Sequence, residues 1–402
     1  MTGKSEIDMC RGQLLGKMIR FTVPIMLTGI LQLLFNAADI VVVGRFAGSQ
    51  ALAAVGSTTS LINMMVNLFV GCAVGANVLV AGFYGSKEYD KVSDAVHTAL
   101  LASVIGGIFL AVIGITFARP LLHLMGSPND VIDLAVLYVR IYFAGIPIIL
   151  LYNFGSSIMK AAGDADHPLI YLTIAGVLNV FLNLFFVIVL HMSVAGVAIA
   201  TVLSSVIIQS SVNSFGSVVM AGNSAAANIE GFCYSALNAC NQTSLNFTSQ
   251  NRGARQYHRT SQVLRIGVGI ALVTGVAFAV FGVTFAGSLV SIYSSEAEVI
   301  SYGILRLTCI LPFYWMSGIM EVLVGYIRGI GYSLMSTIVT LLGSCAFRII
   351  WVYTVFRAQG TLESLYVSYP ISWAITICAH VVCMVVTCRK YWGKKDAAES
   401  AA

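Results

Sequence analysis

The chain has 402 residues, of which 58% are hydrophobic and only 10% charged, with a mean hydropathy of +0.88. A water-soluble domain carries about a quarter charged residues, so most of this chain cannot face water. The net charge of +5 lies mostly in short segments between apolar runs, where orientation on a membrane accounts for it, so no nucleic-acid partner is implied.

Apolar runs of roughly 20 residues, enough to cross a hydrocarbon core, recur along the chain. In order, the reading places spans near 20–43, 52–82, 93–118, 131–158, 168–190 and 194–220. Further spans fall near 230–250, 264–290, 298–326, 333–356 and 366–388, giving about eleven apparent spans. The runs are continuous instead of alternating, which excludes a β-barrel and predicts an all-α polytopic membrane protein. The first run reaches Val43, too long for a signal peptide. The nine cysteines lie mostly inside apolar spans with no C-x-x-C spacing, so they read as small buried hydrophobes, with no metal site. Two glycosylation sequons, Asn241-Gln242-Thr243 and Asn246-Phe247-Thr248, fall within a span and are discounted.

Lys and Arg sort by segment. Lys4, Arg11, Lys17, Arg20, Lys87, Lys91 and Lys160 precede the chain's middle; Arg252, Arg255, Arg259, Arg265, Arg328, Arg389, Lys390, Lys394 and Lys395 follow it. The intervening segments hold only Arg45, Arg119 and Arg357. The positive-inside rule makes the larger set cytoplasmic and predicts a multi-pass protein of the inner (plasma) membrane.

The two halves resemble each other. Ala47-Gly48-Ser49-Gln50-Ala51 matches Ala221-Gly222-Asn223-Ser224-Ala225, and Tyr84-Gly85-Ser86 recurs as Arg252-Gly253-Ala254. Val139-Arg140-Ile141 before Pro147 matches Leu305-Arg306-Leu307 before Pro312, and Lys160-Ala161-Ala162-Gly163 matches Arg328-Gly329-Ile330-Gly331. The order and near-constant offset, about 165 to 174 residues, imply parallel repeats, a design in which secondary transporters hold substrate between the halves.

On these residues a family resemblance appears. Gln32, Asn36 and Asp39, then Gly44-Arg45-Phe46-Ala47-Gly48, the turn at Ala162-Gly163-Asp164, and Tyr326-Ile327-Arg328-Gly329-Ile330-Gly331-Tyr332-Ser333 resemble the MATE (multidrug and toxic compound extrusion) family. The resemblance covers about residues 15 to 390. It implies two six-helix bundles forming a V-shaped cleft and export of organic cations in exchange for protons or sodium ions. The family has twelve spans. The stretch Val202 to Asn213 reads as one helix joined to the middle of the next, so part of the inter-bundle region is expected to be absent. The expected domains are an N-terminal bundle 1–193, a fused or truncated region 194–220, and a C-terminal bundle 221–402.

Polar residues inside the spans are the candidate sites. Gln32, Asn36 and Asp39 share one face of the first helix. An acid in a span faces a cavity or ion path, or lies at the interface when near a helix end; the match to the family's first-helix acid implies cation coupling. Asn179 and Asn183 share a face of the fifth span and, with Asn153, would complete a polar pocket; interhelical hydrogen bonding is the other reading. In the second half, Asn238, Gln242 and Asn246 form a polar stripe, and Glu321 lies mid-span with Arg348 as its candidate ion-pair partner. Arg140 and Arg306 lie near span ends and are expected to snorkel to the interface. Phe313, Tyr314 and Trp315 could stack on a flat cation.

The functional expectation is secondary-active efflux of amphipathic, cationic compounds by antiport with protons or sodium ions. It involves no cofactor beyond the coupling ion, with a small-molecule substrate and membrane lipid as partners. An internally deleted, non-pumping transporter and a lipid-linked precursor flippase are the alternatives. A flippase would need a strongly cationic cavity, and only Arg348 reads as deep in a span. Neither H-E-x-x-H, G-x-S-x-G nor G-x-x-x-x-G-K-[ST] occurs, so no enzyme is expected.

Overall fold

The computed structural model describes residues 6–46, 49–124, 132–184, 217–292 and 297–399. The described residues are helical, without strands. The helices are α1 (Leu14–Phe46), α2 (Ser49–Ser86), α3 (Tyr89–Leu124), α4 (Ile132–Ala162), α5 (Asp166–Leu184), α6 (Ser217–Gly253), α7 (Tyr257–Thr284), the short α8 (Ala286–Ser291), α9 (Ala297–Gly329), α10 (Ser333–Gln359) and α11 (Leu362–Glu399). Ten long helices thus stand where ten of the expected spans lie. A 3-10 turn, Leu311–Phe313, breaks α9 at Pro312, where proline withholds a backbone donor.

Two compact units emerge. One comprises Met1–Met9 and Val23–Ser205; the other comprises Cys10–Thr22 and Val206–Ala402, so the start of α1 groups with the C-terminal helices. There Thr22 and Thr243 share a hydrogen bond at 2.8 Å, and Phe21 meets Phe247 edge-on at 5.7 Å. In the first unit the core lies between α3 and α4, around Leu110, Leu122, Val139, Phe143, Ile146 and Leu150. In the second it joins α6, α9 and α11 through Leu237, Leu307, Ile310, Leu311, Leu365 and Tyr366. Ile148, Ile174, Val273 and Leu334 are among many exposed large apolar side chains, as expected where lipid is the solvent.

The repeat is written into the backbone. Lys87 and Arg255, 168 positions apart, both adopt positive φ (62° and 60°), as do Gly163 and Gly331 (102° and 95°). Each closes a helix in the same way. The Lys87 N–H donates to the Tyr84 carbonyl and Glu88 N–H to Phe83, while Arg255 N–H donates to Arg252 and Gln256 N–H to Asn251. These paired bonds satisfy the last helical carbonyls. The turns at Gly163 and Gly331 repeat the pattern: Gly163 N–H to Lys160 and Asp164 N–H to Met159, then Gly331 N–H to Arg328 and Tyr332 N–H to Ile327. Side-chain packing follows suit. A Cβ on Gly107 would sit 2.5 Å from the Pro147 Cα, and one on Gly275 2.6 Å from the Trp315 Cα.

Ala221-Gly222, the repeat partner of Ala47-Gly48, lies inside α6, which begins at Ser217. The Ala221 to Ala227 stretch supplies four alanines, whose helix propensity outweighs the roughly 1 kcal/mol cost of one glycine. The fused region 194–220 falls mostly on residues outside the described ones.

α6 is the most polar of the described long helices, yet it is the most enclosed helix of its unit. Asn241, Thr243, Ser244, Asn246, Thr248, Ser249, Gln250 and Asn251 are all buried. Many of their polar atoms are spent on backbone one turn back or on the facing helix, while Asn246 Oδ1 and Thr248 Oγ1 are buried without a hydrogen-bond partner among the described residues. Thr243 Oγ1 donates to Ala239 O, Asn251 Nδ2 to Phe247 O and Ser244 Oγ to Val322 O. In lipid such groups must be satisfied internally, and small residues let the partner backbone come close enough. Gly325 lies against the Asn241 carbonyl and Gly329 against that of Leu245.

Candidate functional site

The first-unit candidates sit on three helices. Gln32, Asn36 and Asp39 are on α1, Asn153 on α4, and Asn179 and Asn183 on α5. Gln32 is exposed, and the Asn153 Nδ2 donates to the Ile149 carbonyl one turn back at 2.9 Å. The side chains of Asn36, Asp39, Asn179 and Asn183 lie outside the described residues; their helical backbone gives only the register, in which each set shares a face.

The second-unit candidates separate into two clusters. On α6, Gln242 Nε2 donates to Asn238 Oδ1 at 2.9 Å, and Asn246 Nδ2 donates to the Gln242 carbonyl at 2.8 Å. Beside them, Asn241 Nδ2 donates to Glu321 Oε2 at 2.6 Å. Glu321 is buried, and its hydrogen-bond partner is this amide on α6, not Arg348. The expected Glu321–Arg348 ion pair is therefore corrected: α9 turns Glu321 toward α6, while α10 turns Arg348 toward α11.

Arg348 belongs to the other cluster. Its Nε donates to Ser372 Oγ at 2.9 Å, and its guanidinium lies 4.1 Å from the Tyr369 ring centre and 6.0 Å from that of Trp373. Tyr314 completes the aromatic group, meeting Trp373 edge-on at 5.3 Å, with its hydroxyl donating to the Glu230 carbonyl at 3.4 Å. Tyr314 is thus a buried packing residue, while neighbouring Phe313 is exposed.

Arg306 overturns its expectation. It does not snorkel; it is 5% exposed, and its Nε and Nη2 bind the two oxygens of Glu230 at 2.7 and 2.9 Å. The planar guanidinium fork matches a carboxylate in this two-point manner, and Tyr366 and Tyr369 face it at 5.7 and 5.6 Å. Glu230 escaped notice because it opens the span read as 230–250, where an acid looks interfacial. Arg140, by contrast, is exposed and caps the Ile115 carbonyl at 3.3 Å, consistent with an interfacial residue.

Two like halves, closed by the same turns and packed through the same glycines, meet a family model. The MatE model matches residues 24–185 and again 194–354. The chain belongs to the MATE family. Its members here include the "Probable multidrug resistance protein YoeA" of Bacillus subtilis, 24% identical over 421 residues, covering 89% of this chain and 90% of that protein. The FAD transporter of Shewanella oneidensis is 26% identical over 183 residues, covering 44% of this chain and 40% of that protein. Among solved structures, a multidrug resistance MATE family transporter of the MOP superfamily superposes with a TM-score of 0.86 at 20% identity, covering 98% of this chain and 100% of that chain. That likeness shows the fold; the family match and the apolar helices make this a multi-pass membrane protein of the MATE family. The two family matches also set 194–220 opposite 24–50, the stretch that forms most of α1. Only 186–193 lies between the matches, too short to cross a membrane.

Proposed function

We propose that this MATE-family chain is a secondary-active exporter of amphipathic organic compounds, cationic ones among them, driven by antiport with protons or sodium ions. The observation that carries this reading is the family match running through both halves, with Asp39 on the first helix as the acid of a polar face with Gln32 and Asn36. An acid inside a span is costly and is kept for ion or proton traffic. The relatives' names, multidrug resistance protein and FAD transporter, support a small-molecule cargo with an extended aromatic body. No chemistry of an enzyme is part of this reading.

The test is efflux of a fluorescent cation, ethidium, from proteoliposomes under an imposed proton or sodium gradient. Wild type is expected to export under one of the two gradients. Asp39→Asn, which keeps shape but cannot carry a charge, is expected to abolish gradient-driven efflux while the protein still inserts. Unchanged efflux in that variant would remove Asp39 from the coupling. A second reading, a transporter that inserts but does not pump, draws on the shortness of 186–193; absence of efflux under either gradient from well-folded protein would favour it.

A further inference from the structure

We propose that Arg348 is the receptor for an anionic group, a carboxylate or a phosphate, on the compounds this protein handles. The proposal deepens the exporter reading and rests on it for the word cargo, but the site itself stands on the geometry of the second unit.

Arg348 sits in the middle of the Ser333–Gln359 span. A guanidinium at that depth is expensive and calls for a counter-charge. Among the described residues, the two buried carboxylates of the second unit are already engaged. Glu230 gives both oxygens to Arg306, and Glu321 accepts from Asn241. The groups set against the Arg348 guanidinium are Ser372, Tyr369 and Trp373, none of them a carboxylate. Arg306 and Glu230 cancel, so the cluster carries a net positive charge that belongs to Arg348.

The side chain is held as a receptor would be. Ser372 fixes Nε and Tyr369 lies flat beneath the guanidinium at 4.1 Å, with Trp373 behind. Nε and one face are used; the two terminal amino groups, which form the fork that grips carboxylate or phosphate, meet no side-chain acid among the described residues. The aromatic wall is itself rigid: Tyr369 and Trp373 meet edge-on at 6.1 Å, and Trp373 and Tyr314 are buried.

The backbone singles out the same turn. α10 is π-helical at Leu341–Ala346 and again at Val352–Phe356, leaving Arg348 in a single α-helical turn, Phe347–Trp351, between them. A π-helical insertion costs regular hydrogen bonding and occurs mostly where function needs a re-aimed side chain. Two insertions bracket this half-buried cation and rotate the residues between them relative to the rest of the helix.

The experiment is probe binding to purified full-length protein in detergent, followed by quenching of tryptophan fluorescence. The probes are 1-pyrenebutyrate with its neutral analogue 1-pyrenebutanol, and flavin mononucleotide with riboflavin. Wild type is expected to bind at least one anionic probe about tenfold or more tighter than its neutral partner. Arg348→Gln should erase that preference while leaving the neutral probes within twofold. Arg348→Lys, which keeps charge without the fork, should retain part of it. Preference confined to pyrenebutyrate identifies carboxylate as the ligand, and preference confined to flavin mononucleotide identifies phosphate. Loss of both charged and neutral binding by the same factor in Arg348→Gln, or no preference in wild type, overturns the proposal. Should Arg348→Gln fail to fold, Arg348→Lys decides: with the charge kept and the fork lost, the anion preference must fall below wild type while neutral binding stays within twofold, and an unchanged preference overturns the proposal. Asp39→Asn, expected to stop efflux, should leave the preference intact, so failure of the pump and failure of the site are read separately.

Discussion

Glu230 and Arg306 form the ion pair whose rupture should be felt most. Both side chains are nearly inaccessible, 5% exposed each, and joined by two hydrogen bonds at 2.7 and 2.9 Å. Glu230→Gln keeps the shape and one acceptor but leaves the Arg306 charge uncompensated between Tyr366 and Tyr369. Breaking one side of a buried pair costs about 3–5 kcal/mol, which for a unit of this size lowers the melting temperature by on the order of 10 °C. Replacing both partners, with Glu230→Leu and Arg306→Met, removes the charge together with its partner and should return most of that loss, because apolar pairs of similar volume are near neutral or better. The assay is thermal unfolding in detergent, reading loss of the monodisperse species across the two single variants, the double variant and wild type. The loss in the double variant must fall well below the sum of the losses in Glu230→Leu and Arg306→Met measured singly. A Glu230→Gln protein that melts within 1–2 °C of wild type would refute the reasoning, showing that water or a shifted side chain compensates the arginine.

The repeat makes paired predictions. Gly163→Ala and Gly331→Ala each force an L-residue to φ near +100° and should each cost about 1–2 kcal/mol, read as matching drops in melting temperature; a loss at only one site would show that the turns are not equivalent. Gly107→Val and Gly275→Val push side-chain atoms onto the Pro147 and Trp315 backbones and should each destabilise by about 1–3 kcal/mol, checked in the same melts. A reporter fused after Ala402 is expected to be cytoplasmic, because Arg389, Lys390, Lys394 and Lys395 gather there. An external reporter would mean an odd number of crossings and would count against the pump in favour of a chain that inserts without transporting.

What could be read from the sequence and what could not divides along a physical line. Apolar length is a local property, so ten of the expected spans coincide with long helices. The repeat is also local in kind: Gly163 and Gly331 each end a helix because only a residue without Cβ takes that φ cheaply, and the two recur at one spacing. Lys87 and Arg255 share a positive φ that no residue type announces, and only the structure reveals them. Polar partnerships were the weak point, since they depend on which helix faces which. Arg306 and Glu230 are 76 positions apart, and an arginine near a span end has two good solutions, snorkelling outward or turning inward to an acid. Glu321 had Arg348 on the next helix and Asn241 on a more distant one, and the amide won. α6 weakened the usual signal, because many of its polar residues turn to backbone and neighbouring helix rather than to water. The same reasoning explains why Arg348 stands out. Once Glu230 and Glu321 are assigned to other partners, the cation that looked half of an ion pair in sequence becomes the charge in its cluster that a ligand, and not the protein, is left to balance.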